Sequence, residues 1–178
     1  MNDTRGSNAN NVTAGAGNDR SSDAELRLEE FLPHRLNVTS SLVSHALSSI
    51  YAEQYGIGIP EWRVLVSLGQ YGEMTGKAVG MQSHMHKTKV SRAVAMLEKR
   101  RWITRKANRE DLREAILSLT PAGRATFDKL APIALDFVSR LVETLDPAEK
   151  AALDRALRKI RERSEALSSE ISGEVYRR

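Results

Sequence analysis

The chain has 178 residues, is 40% hydrophobic and only 5% aromatic, and carries a formal net charge of +4. That length suits one domain, or one domain with an extended dimerisation arm, and the composition fits a helical core built on Leu, Ala and Val. The absence of cysteine excludes disulfides, thiolate zinc sites and thiol redox sensing.

No apolar run approaches the roughly 18 residues of a membrane span, and the N-terminus lacks the apolar core of a signal peptide. A soluble cytoplasmic protein with no membrane contact is expected. The charge is uneven. Residues 60–120 hold twelve Lys/Arg against six Asp/Glu, whereas residues 1–59 hold four against seven and residues 121–178 eleven against ten. The positive excess lies in one segment, as the footprint of a polyanion site should.

Residues 1–22 are rich in Asn, Gly, Ser, Thr and Ala, and read as a disordered tail. Ser22 or Asp23 caps a short predicted helix through Leu32, and Pro33 opens a longer one to about Tyr55. Leu36, Val43, Leu47 and Ile50 mark its buried stripe. Gly56-Ile57-Gly58 ends it. Pro60 and Glu61 begin a second helix with Trp62, Leu65, Val66 and Leu68 inward, closed by Gly69 to Gly72. Thr75 caps a short helix to about Ser83, His84 and Met85 form a turn, and a basic helix runs from about His86 to Arg101. Val90, Val94 and Leu97 lie on one face of that helix.

Trp102–Ala107 and Ala115–Leu119 read as two short strands around a polar hairpin tip. Thr120-Pro121 starts a helix to about Leu145, passing Pro132, which is expected to kink it. Asp146-Pro147 starts a last helix to about Ile171, with Leu153, Leu157, Ile160 and Leu167 on its apolar face. The fold class expected is mainly α with a small β-hairpin wing: a winged helix-turn-helix flanked by N- and C-terminal dimerisation helices. The expected divisions are 1–22 (tail), 23–59 (N-terminal dimerisation helices), 60–120 (DNA-binding lobe) and 121–178 (C-terminal dimerisation helices).

The basic helix offers Lys87, Thr88, Lys89, Ser91 and Arg92 near its N-terminus, a donor-rich face suited to the major groove. Arg92 can bond a guanine bidentately, Thr88 or Ser91 can reach base edges or phosphates, and Lys87 and Lys89 suit phosphate neutralisation. At the hairpin tip, Arg109 and Arg113 suit the narrow, electronegative minor groove. Arg105 and Lys106 on the first strand suit flanking phosphates. Alone, the basic helix could be a solvated face and the hairpin an ordinary charged turn. The order of helix, turn, basic helix, charged hairpin and Thr-Pro cap makes double-stranded DNA the expected partner.

These residues resemble the MarR family of transcriptional regulators. The resemblance is carried by Val90-Ser91-Arg92, by Asp111-x-Arg113 and by Leu119-Thr120-x-x-Gly123, and spans about Leu28 to Leu167. It implies that Asp111 shapes the wing and that Arg113 reaches the minor groove. Two positions depart from the pattern: Leu112 stands where many members have a second Arg, and His84 stands in a turn that often has Gly. The family likeness also implies a homodimer interlocked through its first and last helices, presenting two recognition helices to an inverted-repeat operator, with repression as the expected sign.

Such regulators typically bind a small anionic aromatic effector between the dimerisation helices and the DNA-binding lobe. The candidates here are His34, Arg35, Ser41 and His45 on a first helix expected to be largely buried, with Trp62 and Arg63 on the second. The alternative is that these are satisfied core or interface polar groups. The runs Phe31-Leu32-Pro33-His34-Arg35-Leu36 and Glu61-Trp62-Arg63-Val64-Leu65 resemble the branch controlling aromatic-acid catabolism, which implies an aromatic acid or its coenzyme A thioester.

Other functions find less in the sequence. There is no nucleophile elbow, glycine-rich phosphate loop or acid pair, so neither an enzyme nor a cofactor is expected. His84-x-His86 could supply two metal ligands for a metal-responsive regulator. A sequence-neutral architectural DNA binder is the remaining alternative.

Overall fold

The computed structural model describes residues 26–109, 111 and 113–175. The expected tail at 1–22 and the cap at Ser22 or Asp23 lie outside them. Backbone contacts divide the chain into one unit ending at Thr39 and a second beginning at Ser40.

In the first unit, residues 28–30 form a turn rather than a helix, closed by bonds from Glu30 N and Phe31 N to Arg27 O. The expected short helix through Leu32 is thus absent from its described part. A segment that short has too few turns to offset nucleation, and Pro33 favours a fresh start. Helix α1 then spans Leu32–Tyr55 and crosses the division between the units.

In the second unit, α1 ends at Gly56, whose φ of 60° reverses the chain and whose N–H bonds Ala52 O at 2.9 Å. Helix α2 (Ile59–Tyr71) follows, its N-terminus tied by Glu61 Oε2 accepting from Gly58 N at 2.9 Å. Then come β1 (Met74–Thr75), α3 (Gly76–Ser83), α4 (Lys87–Lys99), β2 (Ile103–Ala107), β3 (Ala115–Leu119), α5 (Pro121–Leu141) and α6 (Pro147–Val175). Thr120 Oγ1 caps α5 by accepting from Gly123 N at 3.1 Å. Asp146 Oδ1 caps α6 by accepting from Ala148 N and Glu149 N, while Glu149 Oε2 accepts from Asp146 N. Helix α5 stops at Leu141, earlier than expected, and turns link it to α6.

The sheet is antiparallel in the order β1-β3-β2, with Ile103 opposite Leu119, Ala107 opposite Ala115, and Met74 opposite Leu117. Strand β1, only two residues long, was too short to show a period in the sequence.

Two apolar clusters hold this unit. Val64, Leu68, Val79, Val90, Ala93, Val94, Leu97, Ile103 and Leu117 seat α4 on α2, α3 and the sheet. Tyr51, Ile57, Leu65 and Leu130 join the end of α1 to α2 and α5, with Trp62, Trp102 and Phe127 packed against them. Burying each large side chain of this kind contributes about 1.5–3 kcal/mol. Helix α6 buries none of its described side chains.

Candidate nucleic-acid interface

The turn between α3 and α4 sets the angle of the basic helix. Thr75 Oγ1 caps α3 by accepting from Ala78 N at 3.1 Å. At its far end His84 takes φ 50° and ψ 40°, the left-handed conformation more usual for glycine. Met85 N bonds Gly80 O at 2.9 Å and His84 N bonds Met81 O at 3.4 Å, a double closure that satisfies the last carbonyls of α3. Met85 is buried beneath it. His84 therefore reproduces the sharp turn without glycine, at a conformational cost of about 1–2 kcal/mol.

His86 then caps α4, its Nδ1 accepting from Thr88 N at 3.4 Å. Val90, Ala93, Val94 and Leu97 are buried, while Lys87, Thr88, Lys89, Ser91 and Arg92 are all exposed. The helix thus presents one unbroken polar, cationic face and holds the other in the core. Among the described residues no cluster of three or more potential metal-binding side chains occurs.

The wing is formed by β2 and β3. Asp111 Oδ1 accepts from Arg113 N at 2.9 Å, and Asp111 O accepts from Glu114 N at 3.0 Å, so one aspartate folds the tip. Arg109 and Arg113 are exposed there. Leu112 lies outside the described residues.

Arg105 and Lys106 are less free than the sequence suggests. Arg105 Nε pairs with Glu98 Oε2 at 2.9 Å, and Lys106 Nζ with Glu73 Oε1 at 3.5 Å. A phosphate must displace those carboxylates or share the cation with them. Between α3, α4 and the wing lies a cleft of about 890 Å³, lined by Lys77, Lys87, Arg105 and Arg113 along with buried Val90 and Leu117.

The effector candidates are differently placed. His34 and Arg35 are exposed on the part of α1 in the first unit, and Ser41 and His45 are exposed on the part in the second. The expectation of a largely buried first helix is therefore corrected for the single chain: Tyr51 is its only buried residue. Most side chains of α1 are exposed, the candidate polar groups among them. Within the second unit, Trp62 stacks on Tyr51 with ring centroids 5.3 Å apart at 21°, and Arg63 Nη1 donates to Ser83 O at 3.4 Å. No hydrogen bond or ring contact joins Ser41 or His45 to Trp62 or Arg63.

Tyr51 lies four residues after Leu47 on the same stripe, the spacing that marks it as a core residue. Burial pushes its phenol up to about 12, partly opposed by the nearby Arg63 charge and reinforced by Glu61. Gly123 closes the Leu119-Thr120-x-x-Gly123 motif for a steric reason. A Cβ there would stand 1.9 Å from Trp102 O, so α5 can approach the chain after α4 only through a glycine.

The comparisons agree with this geometry. Residues 57–115 match the MarR family, from the start of the lobe to the first residue of β3. Over those residues the chain is similar to the MarR family. A helix-turn-helix-type transcriptional regulator of Bacillus subtilis, YwoH, is 25% identical over 127 residues, covering 71% of this chain and 91% of its own. A MarR/EmrR family regulator from Acinetobacter sp. ADP1 superposes with a TM-score of 0.72 at 24% identity, covering 79% of this chain and 99% of the other. Bordetella bronchiseptica BpsR, whose DNA binding is regulated by 6-hydroxynicotinic acid, superposes with a TM-score of 0.61 at 21% identity, covering 71% and 98%. The matched residues include the whole of α4 and most of the wing, and the relatives they match are transcriptional regulators. No helix among the described residues is long and apolar enough to cross a membrane.

Proposed function

We propose that the protein is a ligand-responsive repressor that binds an inverted-repeat operator as a homodimer. The observation that carries this reading is the pairing of an exposed cationic face on α4 with a wing tip bearing Arg109 and Arg113. Lys87, Thr88, Lys89, Ser91 and Arg92 serve the major groove and its phosphates, Arg109 and Arg113 the minor groove, and Arg105 the flanking backbone once it leaves Glu98.

Residues 60–120 form the DNA-binding lobe in this reading. Residues 23–59 and 121–178 form the dimerisation arms. Exposed apolar side chains along α5 and α6 support that division: Leu135, Val138, Leu141, Leu153, Leu157, Leu167 and Ile171 all face solvent in the single chain. A two-fold dimer covers them and sets two α4 helices about one DNA turn apart.

The effector is a small aromatic carboxylate or its coenzyme A thioester, for which the second unit offers Ser41, His45, Trp62 and Arg63 and the first unit offers His34 and Arg35. The Tyr51–Trp62 stack supplies an aromatic wall and Arg63 a cation. The regulation of BpsR by an aromatic acid supports the ligand class by analogy. Release follows if the ligand prefers a dimer whose α4 helices are wrongly spaced for DNA, and by reciprocity DNA weakens ligand binding by the same factor.

Two measurements test this. Arg113→Ala should weaken operator binding mainly where A·T pairs narrow the minor groove; unchanged affinity removes the wing assignment. Aromatic acids and thioesters should raise the thermal midpoint and release operator DNA in the same concentration range. Stabilisation without release would separate binding from regulation.

A further inference from the structure

The recognition helix is held at its C-terminal end by three residues that reach two other elements, α1 and the start of α5. Helix α4 ends in the same double closure as α3: Trp102 N bonds Leu97 O at 3.0 Å and Arg101 N bonds Glu98 O at 2.8 Å. Arg101 takes the left-handed conformation, φ 59°, at a position where glycine is usual. The carbonyls this turn exposes are used by α5. Arg101 O accepts from Thr120 Oγ1 at 2.7 Å, Trp102 O accepts from Thr120 N at 2.9 Å, and Gly123 packs directly against Trp102 O.

Arg100 reaches the opposite way. Its Nη1 donates to Tyr55 O at 2.5 Å and its Nη2 to Gly56 O at 2.8 Å, the carbonyls that close α1. Its guanidinium also lies over the Trp102 ring, 5.2 Å from the centroid. The geometry suits no other side chain. A planar fork bonds two adjacent carbonyls at the negative end of α1 while its face rests on an indole. Gly56 makes room for it, since a Cβ there would stand 3.1 Å from Nη2.

We propose that Arg100 is a positioning residue: by bridging the C-terminal carbonyls of α1 to the turn after α4, it fixes the recognition helix relative to α1 and passes displacements of α1 to the DNA-reading face. The inference that it relays an effector signal rests on the ligand-responsive reading above. The inference that it sets the angle of α4 does not. The alternative role for an exposed arginine in this lobe is a plain phosphate contact, and the two differ in what they predict.

The chain has no cysteine, so spin labels attach only where cysteines are introduced. Full-length protein carrying Ser49→Cys on α1 and Ala95→Cys on α4, diluted with unlabelled chain, reports the distance between those helices within one chain by pulsed dipolar spectroscopy. A single narrow distribution is expected with Arg100 present. Arg100→Ala should broaden or shift it with little change in thermal midpoint, and Arg100→Lys should do the same, because one ammonium cannot bridge both carbonyls and stack.

On DNA, either variant should lose operator affinity on the order of tenfold while non-specific affinity and the salt slope stay unchanged. An unaltered distance distribution overturns the proposal. So does a wild-type distribution in Arg100→Lys, or an affinity loss uniform across all sequences with the salt slope reduced by about one. If Arg100→Ala does not fold, Arg100→Lys carries the test. Absence of any effector response in the wild type would defeat the ligand reading alone and leave the distance measurement decisive for Arg100.

Discussion

In the lobe, Val64, Leu65, Leu68, Val79, Ala93 and Leu97 are sealed from solvent, whereas along α6 Leu153, Leu157, Leu167 and Ile171 are 40–60% exposed. Both segments carry apolar residues at helical spacing. The lobe closes because three short helices and a sheet supply faces to one another within about sixty residues. Helix α6 is 29 residues long and buries no side chain among the described residues. The contrast separates two jobs. The apolar residues of the lobe are covered within the chain, with α1 and α5 completing the cluster around Leu65, while on the proposed reading a second copy covers those of the arms.

The largest expected effect breaks the lobe. Leu97→Ala removes a fully buried side chain beneath α4 and should cost about 2–5 kcal/mol in urea denaturation. Leu157→Asp is the matching change in the arm. It should leave the unfolding midpoint of the lobe nearly in place and weaken self-association tenfold or more, read by sedimentation equilibrium. If Leu157→Asp unfolds the lobe, or leaves association untouched, the division of labour is wrong.

A smaller effect probes the border between the regions. Tyr51 lies in the cluster where α1, α2 and α5 meet, and its folded pKa is raised to about 12 from an ordinary value of 10.0. The native state therefore favours the neutral phenol. Its contribution to stability is fully present below about pH 10 and is lost as pH rises through 10 to 12, because the unfolded chain releases its proton first. Denaturation midpoints measured at pH 9, 10 and 11 should fall more steeply for the wild type than for Tyr51→Phe. Parallel slopes would place Tyr51 in a wetter environment than its packing implies.

The same contrast explains what could be read from the sequence. Lobe elements were legible because each carries local signals: the Thr75 and Thr120 caps, the Val90-Val94-Leu97 face, and the β-branched runs around Asp111. Those signals act within a few residues and survive any tertiary context. Three kinds of feature were not legible. Strand β1 has no period to detect. The turn at His84 and Met85 is legible but its left-handed conformation is not, and the left-handed turn at Arg101 lacks the glycine that usually announces one. The bonds from Arg100 to Tyr55 O and Gly56 O, and the approach of Gly123 to Trp102 O, join residues far apart in sequence and leave no local trace. The exposure of α1 was misjudged for a related reason: an apolar stripe says that a helix wants cover, not which chain provides it.

The account turns on α4 and the wing reading a defined DNA sequence as a pair. Its most direct test is to recover duplexes from a random-sequence pool by repeated binding to the full-length protein. Affinity for the recovered site, for its isolated half and for a scrambled duplex is then measured at one fixed salt concentration. The account predicts an inverted repeat with half-sites about one helical turn apart, bound at least a thousandfold (~10³) more tightly than scrambled DNA, with the half-site between them. Recovery of no common sequence, with equal affinity for all three duplexes, would contradict it and make the protein a sequence-neutral DNA binder.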